Sequence, residues 1–262
     1  MRIALGIEYS GSAFHGWQSQ RHTASTIQGC VESALSRVAA APTAIVAAGR
    51  TDAGVHAHGQ VVHFDTGVHR DQVAWVLGVN RHLPPAVSVQ WARAVPDAFH
   101  ARFSAQWRRY RYVIHDARAR SALLAGRVTW HHYPLDAERM AQAGRSLIGE
   151  HDFSSFRGQE CQAKSPVRTV QTLTVARRGP LVVLEIQANA FLHHMVRNIA
   201  GVLMSIGKGD RSTAWAGEVL AHRDRRRGGV TAPPDGLYLT AVGYPAAFGL
   251  PGPAPLPDTV HL

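Results

Sequence analysis

Apolar residues recur in two rhythms along this chain, every second position in some stretches and every third or fourth in others. Residues 2–9 form an apolar, β-prone run. Over residues 25–41 the spacing lengthens: Ile27, Val31, Leu35 and Val38 fall on one stripe of an amphipathic helix. Ser25 with Gln28 three residues later reads as a capping box at its start. Short apolar strands follow at 44–48 and 60–65, joined by a polar connection that carries glycines. Residues 71–79 read as helix and 87–95 as strand. The predicted order is β-α-β-β-α-β, the split pattern of a ferredoxin-like sheet with helices on one face.

The second half repeats the outline. Residues 107–115 are rich in aromatic and β-branched side chains, and residues 136–148 read as a helix capped by Asp136. Residues 167–176 and 181–190 pair as a hairpin turned at Arg178-Gly179-Pro180. Within its second arm Val182, Leu184 and Ile186 alternate with Val183, Glu185 and Gln187, a half-buried strand. Asn189 is expected to cap a helix running to about Ile206; a further helix is expected at 213–221 and a strand at 237–244. Proline-rich residues 245–262 cannot hold a regular element and predict a tail on the surface. The expected fold class is α+β: two ferredoxin-like halves forming an extended antiparallel sheet with a central basic cleft. The expected divisions are 1–104, 105–245 and a tail at 246–262. A groove between two such halves is where a ligand usually sits.

Composition narrows the function. With 262 residues, 45% of them apolar, the chain can bury a sizeable core, which excludes wholesale disorder. Lys and Arg total 28 against 18 Asp and Glu, a formal charge of +10 that predicts a polyanionic partner, nucleic acid before membrane. Only Lys164 and Lys208 are lysines. A codon bias produces such a skew, and so does selection for Arg forks that grip phosphates bidentately. Cys30 and Cys161 are too few for a disulfide framework or a thiolate zinc site, so a reduced cytoplasmic setting is expected. The N-terminal apolar run is short and broken by Glu8, unlike a secretory leader, and nothing approaches the ~18 continuous apolar residues of a membrane span. A soluble protein is expected.

The densest chemistry lies in residues 48–60, between two predicted strands and hence at a sheet end. Glycines at 49, 54 and 59 permit a tight backbone that approaches a ligand. Arg50 and Asp52 bracket Thr51. A carboxylate beside a guanidinium stays ionised and can act as nucleophile or base; the same spacing equally fits an Asx turn with Arg50 as surface partner. His56, His58, His131 and His132 raise a metal-dependent hydrolase, although His-Ala-His on a turn lacks the ligand spacing such a site needs. An RNA-binding module without catalysis is the other alternative. Residues 201–209 only imitate a phosphate loop, with five residues between Gly201 and Gly207 and no Ser or Thr after Lys208. The run from Arg223 to Arg227 reads as a solvated face or as the electrostatic rim of a nucleic-acid site.

Residues 49–57, GRTDAGVHA, resemble the signature of the tRNA pseudouridine synthase A family at every position. Gly16-Trp17-Gln18 is similar to the family's N-terminal loop, residues 59–64 to its following strand, and residues 99–104 to the segment linking its halves. Arg109-Tyr110-Arg111-Tyr112 resembles its tyrosine motif, residues 189–198 its second-half helix motif, and residues 236–239 its final strand. Ser10, where the family often has Asp, and His15, where it often has an aromatic, depart from the pattern in a loop expected to touch RNA. The resemblance implies conversion of uridine to pseudouridine in the anticodon arm of tRNA, at positions 38 to 40. The N1–C1′ bond breaks, the uracil turns while held, and C5 rejoins the ribose. No redox change occurs and no atom leaves, so no cofactor and no metal are expected. By the same resemblance Asp52 is the catalytic nucleophile. Arg197 is expected to pair with it from the opposite half, Tyr110 to lie against the target base, and Arg50 to hold the flipped nucleotide's backbone. His193 and His194 adjoin Arg197 as supporting candidates. A homodimer is implied as well.

Overall fold

The structure, a computed structural model, describes residues 1–20 and 25–253. Its elements in chain order are β1 (Arg2–Tyr9), α1 (Ile27–Ala39), β2 (Val46–Ala47), β3 (His56–Asp65), α2 (Gln72–Asn80), β4 (Val87–Val95) and β5 (Trp107–Asp116). They continue with β6 (Thr129–His131), α3 (Ala137–Gly144), β7 (Gly149–Asp152), β8 (Val167–Arg178), β9 (Leu181–Ala188), α4 (Met195–Gly207), α5 (Trp215–His222) and β10 (Leu237–Gly243). The class is α+β, as expected. The sheet structure is mixed, which corrects the antiparallel expectation: β10 runs parallel to β3 and β6 parallel to β5. Parallel neighbours need a long crossover, and residues 117–128 supply one between β5 and β6. Among the described residues two compact units emerge, Met1–Gln106 with residues 238–253, and Trp107–Leu237. The predicted tail forms a 3₁₀ turn at Ala246–Phe248, and its residues beyond 253 lie outside the described residues.

In the first unit β1 lies between β4 and β3, both antiparallel to it. The ten-residue β3 is long enough to take two partners: β2 antiparallel at His63 and Val62, and β10 parallel at His56 and Ala57. Helix α1 buries Ile27, Val31, Ala34, Leu35 and Ala39, close to the predicted stripe, while α2 buries Trp75 and Val79. Trp75 meets Phe64 of β3 edge to face, with ring centroids 5.2 Å apart. The capping box does not form. Thr26 caps α1 by accepting from the Gly29 amide, because the Ser25 hydroxyl donates instead to the Ala13 carbonyl. That exchange ties the start of α1 to the loop that follows β1.

In the second unit the strand order is β5-β9-β8-β7, with β6 on the other side of β5. The hairpin of β8 and β9 turns at Gly179-Pro180, where Gly179 takes φ +56°. Helix α4 carries the core of this unit: Ile199, Leu203 and Ile206 are wholly buried, as is Met140 of α3. It begins at Met195 rather than at Asn189. The Asn189 side chain is occupied elsewhere, accepting from the amides of Ala190 and Thr169, which binds the end of β9 to β8. Among the described residues no helix is long and apolar enough to cross a membrane.

Candidate active site

Asp52 sits in the turn between β2 and β3, half-buried, with the Val55 amide closing the turn onto the Asp52 carbonyl at 3.2 Å. The turn is braced from one side by residues 9–17. Tyr9 shares a 2.7 Å hydrogen bond with the Thr51 hydroxyl, and the Trp17 amide donates to the Thr51 carbonyl at 3.0 Å. Gly11 and Gly16 allow this approach. A Cβ on Gly11 would lie 2.0 Å from the Val55 carbonyl oxygen, and Gly16, at φ +91°, lies against the backbone of Thr51, Asp52 and Ala53. From the other side Gln60 donates to the Gly49 carbonyl at 2.7 Å, and the Ala48 amide to the Val61 carbonyl at 2.8 Å. The backbone of the turn is thus fixed on both flanks while the Arg50 side chain is exposed.

The histidines of this stretch have structural employment. His56, 3% exposed, accepts the Gly11 amide through Nδ1 and stacks on Tyr238 with centroids 4.5 Å apart. His58 pairs through Nδ1 with Glu8 at 2.8 Å. Strand β3 begins at His56, earlier than predicted, so both belong to the sheet. His131 and His132 likewise contact the carbonyls of Tyr133 and Arg118.

In the second unit Tyr110 and Tyr112 share β5 but differ in use. Tyr112 is fully buried, its hydroxyl bonded to Thr129 and to the Pro233 carbonyl, and burial pushes its pKa up. Tyr110 keeps 8% exposure and meets Phe191 edge to face at 5.0 Å, so one edge of its ring is fixed by packing. Its neighbours are anchored across the sheet: Arg111 bonds Glu185 of β9 and Arg109 bonds Gln187. Arg197 stands in the first turn of α4, where its Nε donates to the Ala232 carbonyl at 2.8 Å and its own carbonyl accepts the Ala232 amide at 3.1 Å. His193 and His194 stack at 3.8 Å just before the helix, with His194 at φ +62°.

A family model described as tRNA pseudouridine synthase matches residues 6–104 and 143–245. The chain belongs to the tRNA pseudouridine synthase family. It is 58% identical over 266 residues to the tRNA pseudouridine synthase A of Pseudomonas aeruginosa, spanning 99% of this chain and 93% of that protein. To the tRNA pseudouridine synthase A of Methylococcus capsulatus it is 60% identical over 250 residues, covering 95% of this chain and 92% of the relative. The corresponding protein of Nitrosococcus oceani is 59% identical over 251 residues, with 96% of each covered. Arg50, Asp52 and Arg197 lie within the matched spans of the family model, and Tyr110 lies between them. What motif reading passed over is the support: Tyr9 and Gly11 brace the Asp52 turn, and His56, read there as a metal candidate, accepts the Gly11 amide.

Proposed function

We propose that this member of the tRNA pseudouridine synthase family isomerises uridine to pseudouridine in the anticodon stem-loop of tRNA, at positions 38, 39 and 40, with Asp52 as nucleophile. The observation that carries the reading is the placement of Asp52 in a family signature, on a turn braced at both flanks. In the net reaction the N1–C1′ bond is exchanged for a C5–C1′ bond; C5 gives up a proton and N1 gains one, so atoms and electrons balance without a co-reactant. Asp52 supplies the carboxylate that attacks. Tyr110 offers a ring face for the target base, since an aromatic plane accepts any base by stacking. Arg50, exposed, and Arg197, in the first turn of α4, bind the extruded nucleotide, whose removal from the stack costs a few kcal/mol. The formal charge of +10 suits a tRNA partner. The proposal extends to a cytoplasmic homodimer and to two ferredoxin-like halves; for the first half the β-α-β-β-α-β order of residues 2–95 supports it.

The test is incubation of the protein with unmodified tRNA and mapping of pseudouridine by position, alongside Asp52→Asn and Asp52→Ala. Product at 38 to 40 with the wild type, none with either variant, and tRNA binding retained by both is expected. Turnover by either variant refutes the role of Asp52, and product elsewhere refutes the target.

A further inference from the structure

Residues 223–227 do not form the uniform solvated face that their charge suggests. Arg225 turns inward. Its Nη2 donates to the Asn198 side-chain oxygen at 3.0 Å and to the Thr231 hydroxyl at 2.9 Å, while Nη1 donates to the Gly229 carbonyl at 2.9 Å. Asn198, 1% exposed, also accepts the Thr231 hydroxyl at 2.6 Å and donates to the Phe156 carbonyl at 2.8 Å. The turn that carries Arg225 is itself tethered, since the Asp224 amide donates to the buried hydroxyl of Ser155 at 2.9 Å. One guanidinium and one carboxamide therefore make three hydrogen bonds to the irregular segment 229–231, at the Gly229 carbonyl and the Thr231 hydroxyl. That segment lies directly on α4: a Cβ at Gly201, one helical turn beyond Arg197, would sit 1.8 Å from the Val230 carbonyl oxygen. The next residue, Ala232, supplies the carbonyl that receives Nε of Arg197.

We infer that Arg225, with Asn198 and Thr231, is a positioning residue that fixes the guanidinium of Arg197 through the Ala232 carbonyl. The inference rests on the proposed role of Arg197 in binding the substrate. A planar fork is required at 225, because a lysine ammonium keeps the charge but cannot bridge Asn198, Thr231 and a carbonyl together. A buried network of this kind acts as a unit, so loosening one member shifts all of it.

The experiment measures kcat, KM and tRNA affinity for Arg225→Lys, Thr231→Val, Arg197→Lys and the double variant Arg225→Lys/Arg197→Lys, at a temperature where each is folded by circular dichroism. Misplacing a substrate-orienting group by a fraction of an ångström to an ångström costs up to about 100-fold in rate. Arg225→Lys is expected to lose about 10- to 100-fold in kcat, with KM and the salt dependence of tRNA binding unchanged. In the Arg197→Lys background the same substitution is expected to cost nothing more. If Arg225→Lys does not fold, Thr231→Val removes a single hydroxyl and is expected to show the same split between kcat and KM. Multiplying losses in the double variant, or normal kcat in the folded single variants beside an impaired Arg197→Lys, overturn this inference alone. Full activity of Arg197→Lys overturns the role of Arg197 as well. A salt slope lowered by about one in Arg225→Gln, which removes the charge that Arg225→Lys keeps, would make Arg225 a phosphate contact instead.

Discussion

Replacing Gly11 by alanine tests the bracing of the Asp52 turn most directly. The new methyl group would lie 2.0 Å from the Val55 oxygen, 2.6 Å from its carbonyl carbon and 3.0 Å from its nitrogen. Ordinary contact needs roughly 3.2 Å, so the backbone of Val55 must retreat by about 1 Å, and the clash cannot be relieved by a side-chain rotation. Val55 closes the turn onto the Asp52 carbonyl, so the displacement passes to Asp52. The Gly11 amide also anchors His56, which resists the compensating shift of β1. A misplacement of this size costs on the order of 100-fold in turnover, equivalent to about 2.7 kcal/mol of activation free energy. Overpacking adds about 1–3 kcal/mol of destabilisation, a fall in Tm of a few to about ten degrees. Turnover is followed as tritium released from tRNA labelled at uridine C5, the position that loses its proton, and Tm by calorimetry. Gly67→Ala is the control, because a Cβ there meets nothing within 4 Å. Gly11→Ala with native Tm, or with lowered Tm but turnover within twofold of wild type, would show that the turn relaxes away from Asp52 and refute the reasoning.

Three further expectations follow from other parts of the molecule. His63, 4% exposed, accepts the Ala101 amide at 3.1 Å, and burial together with Arg2 and His100 pushes its pKa from 6.5 to about 4. The unfolded chain takes up this proton first, so stability is full above about pH 6.5 and declines toward pH 4, by at most about 3 kcal/mol; His63→Asn, which keeps an acceptor, should flatten the profile, and parallel denaturation profiles would contradict it. Asp116 receives the fork of Arg177 at 2.9 and 2.6 Å and the Leu135 amide at 2.8 Å. Burial alone would raise its pKa, but these donors hold it below the usual carboxylate range. Asp116→Asn should cost about 1–3 kcal/mol at pH 7. As pH falls through the lowered carboxyl pKa the wild type loses this contribution and the gap closes; a gap unchanged at acid pH refutes the pairing's role. Affinity for tRNA should fall steeply and linearly on logarithmic axes as salt rises; a flat titration argues against a phosphate-bound partner.

Much of the fold is local, and local features are legible. The bounds of β1 and β4 follow from unbroken apolar or alternating runs, Asp136 caps α3 as predicted, and Asp71, where the predicted helix starts, is the cap of α2. Strands β6 and β7, three and four residues long, are too short to show a period and are defined only by pairing with β5 and β8. The start of α4 is illegible for a related reason: Asn189 has a good capping side chain, but Thr169 of β8 competes for it and wins. Ser25 loses its cap in the same way to Ala13.

By itself the sequence determined the α+β class, the succession of elements through residue 95, and the identity of the turn that carries Asp52, because periodicity and a contiguous motif are properties of neighbouring residues. Only the tertiary structure decided that β10 runs parallel to β3, that Gly11 leaves room for Val55, and that Arg225 faces inward to Asn198 while Arg226 stays at the surface with Asp224. Each of those outcomes is a choice between partners far apart along the chain, and such a choice is made by burial and hydrogen-bond competition, which linear spacing does not encode.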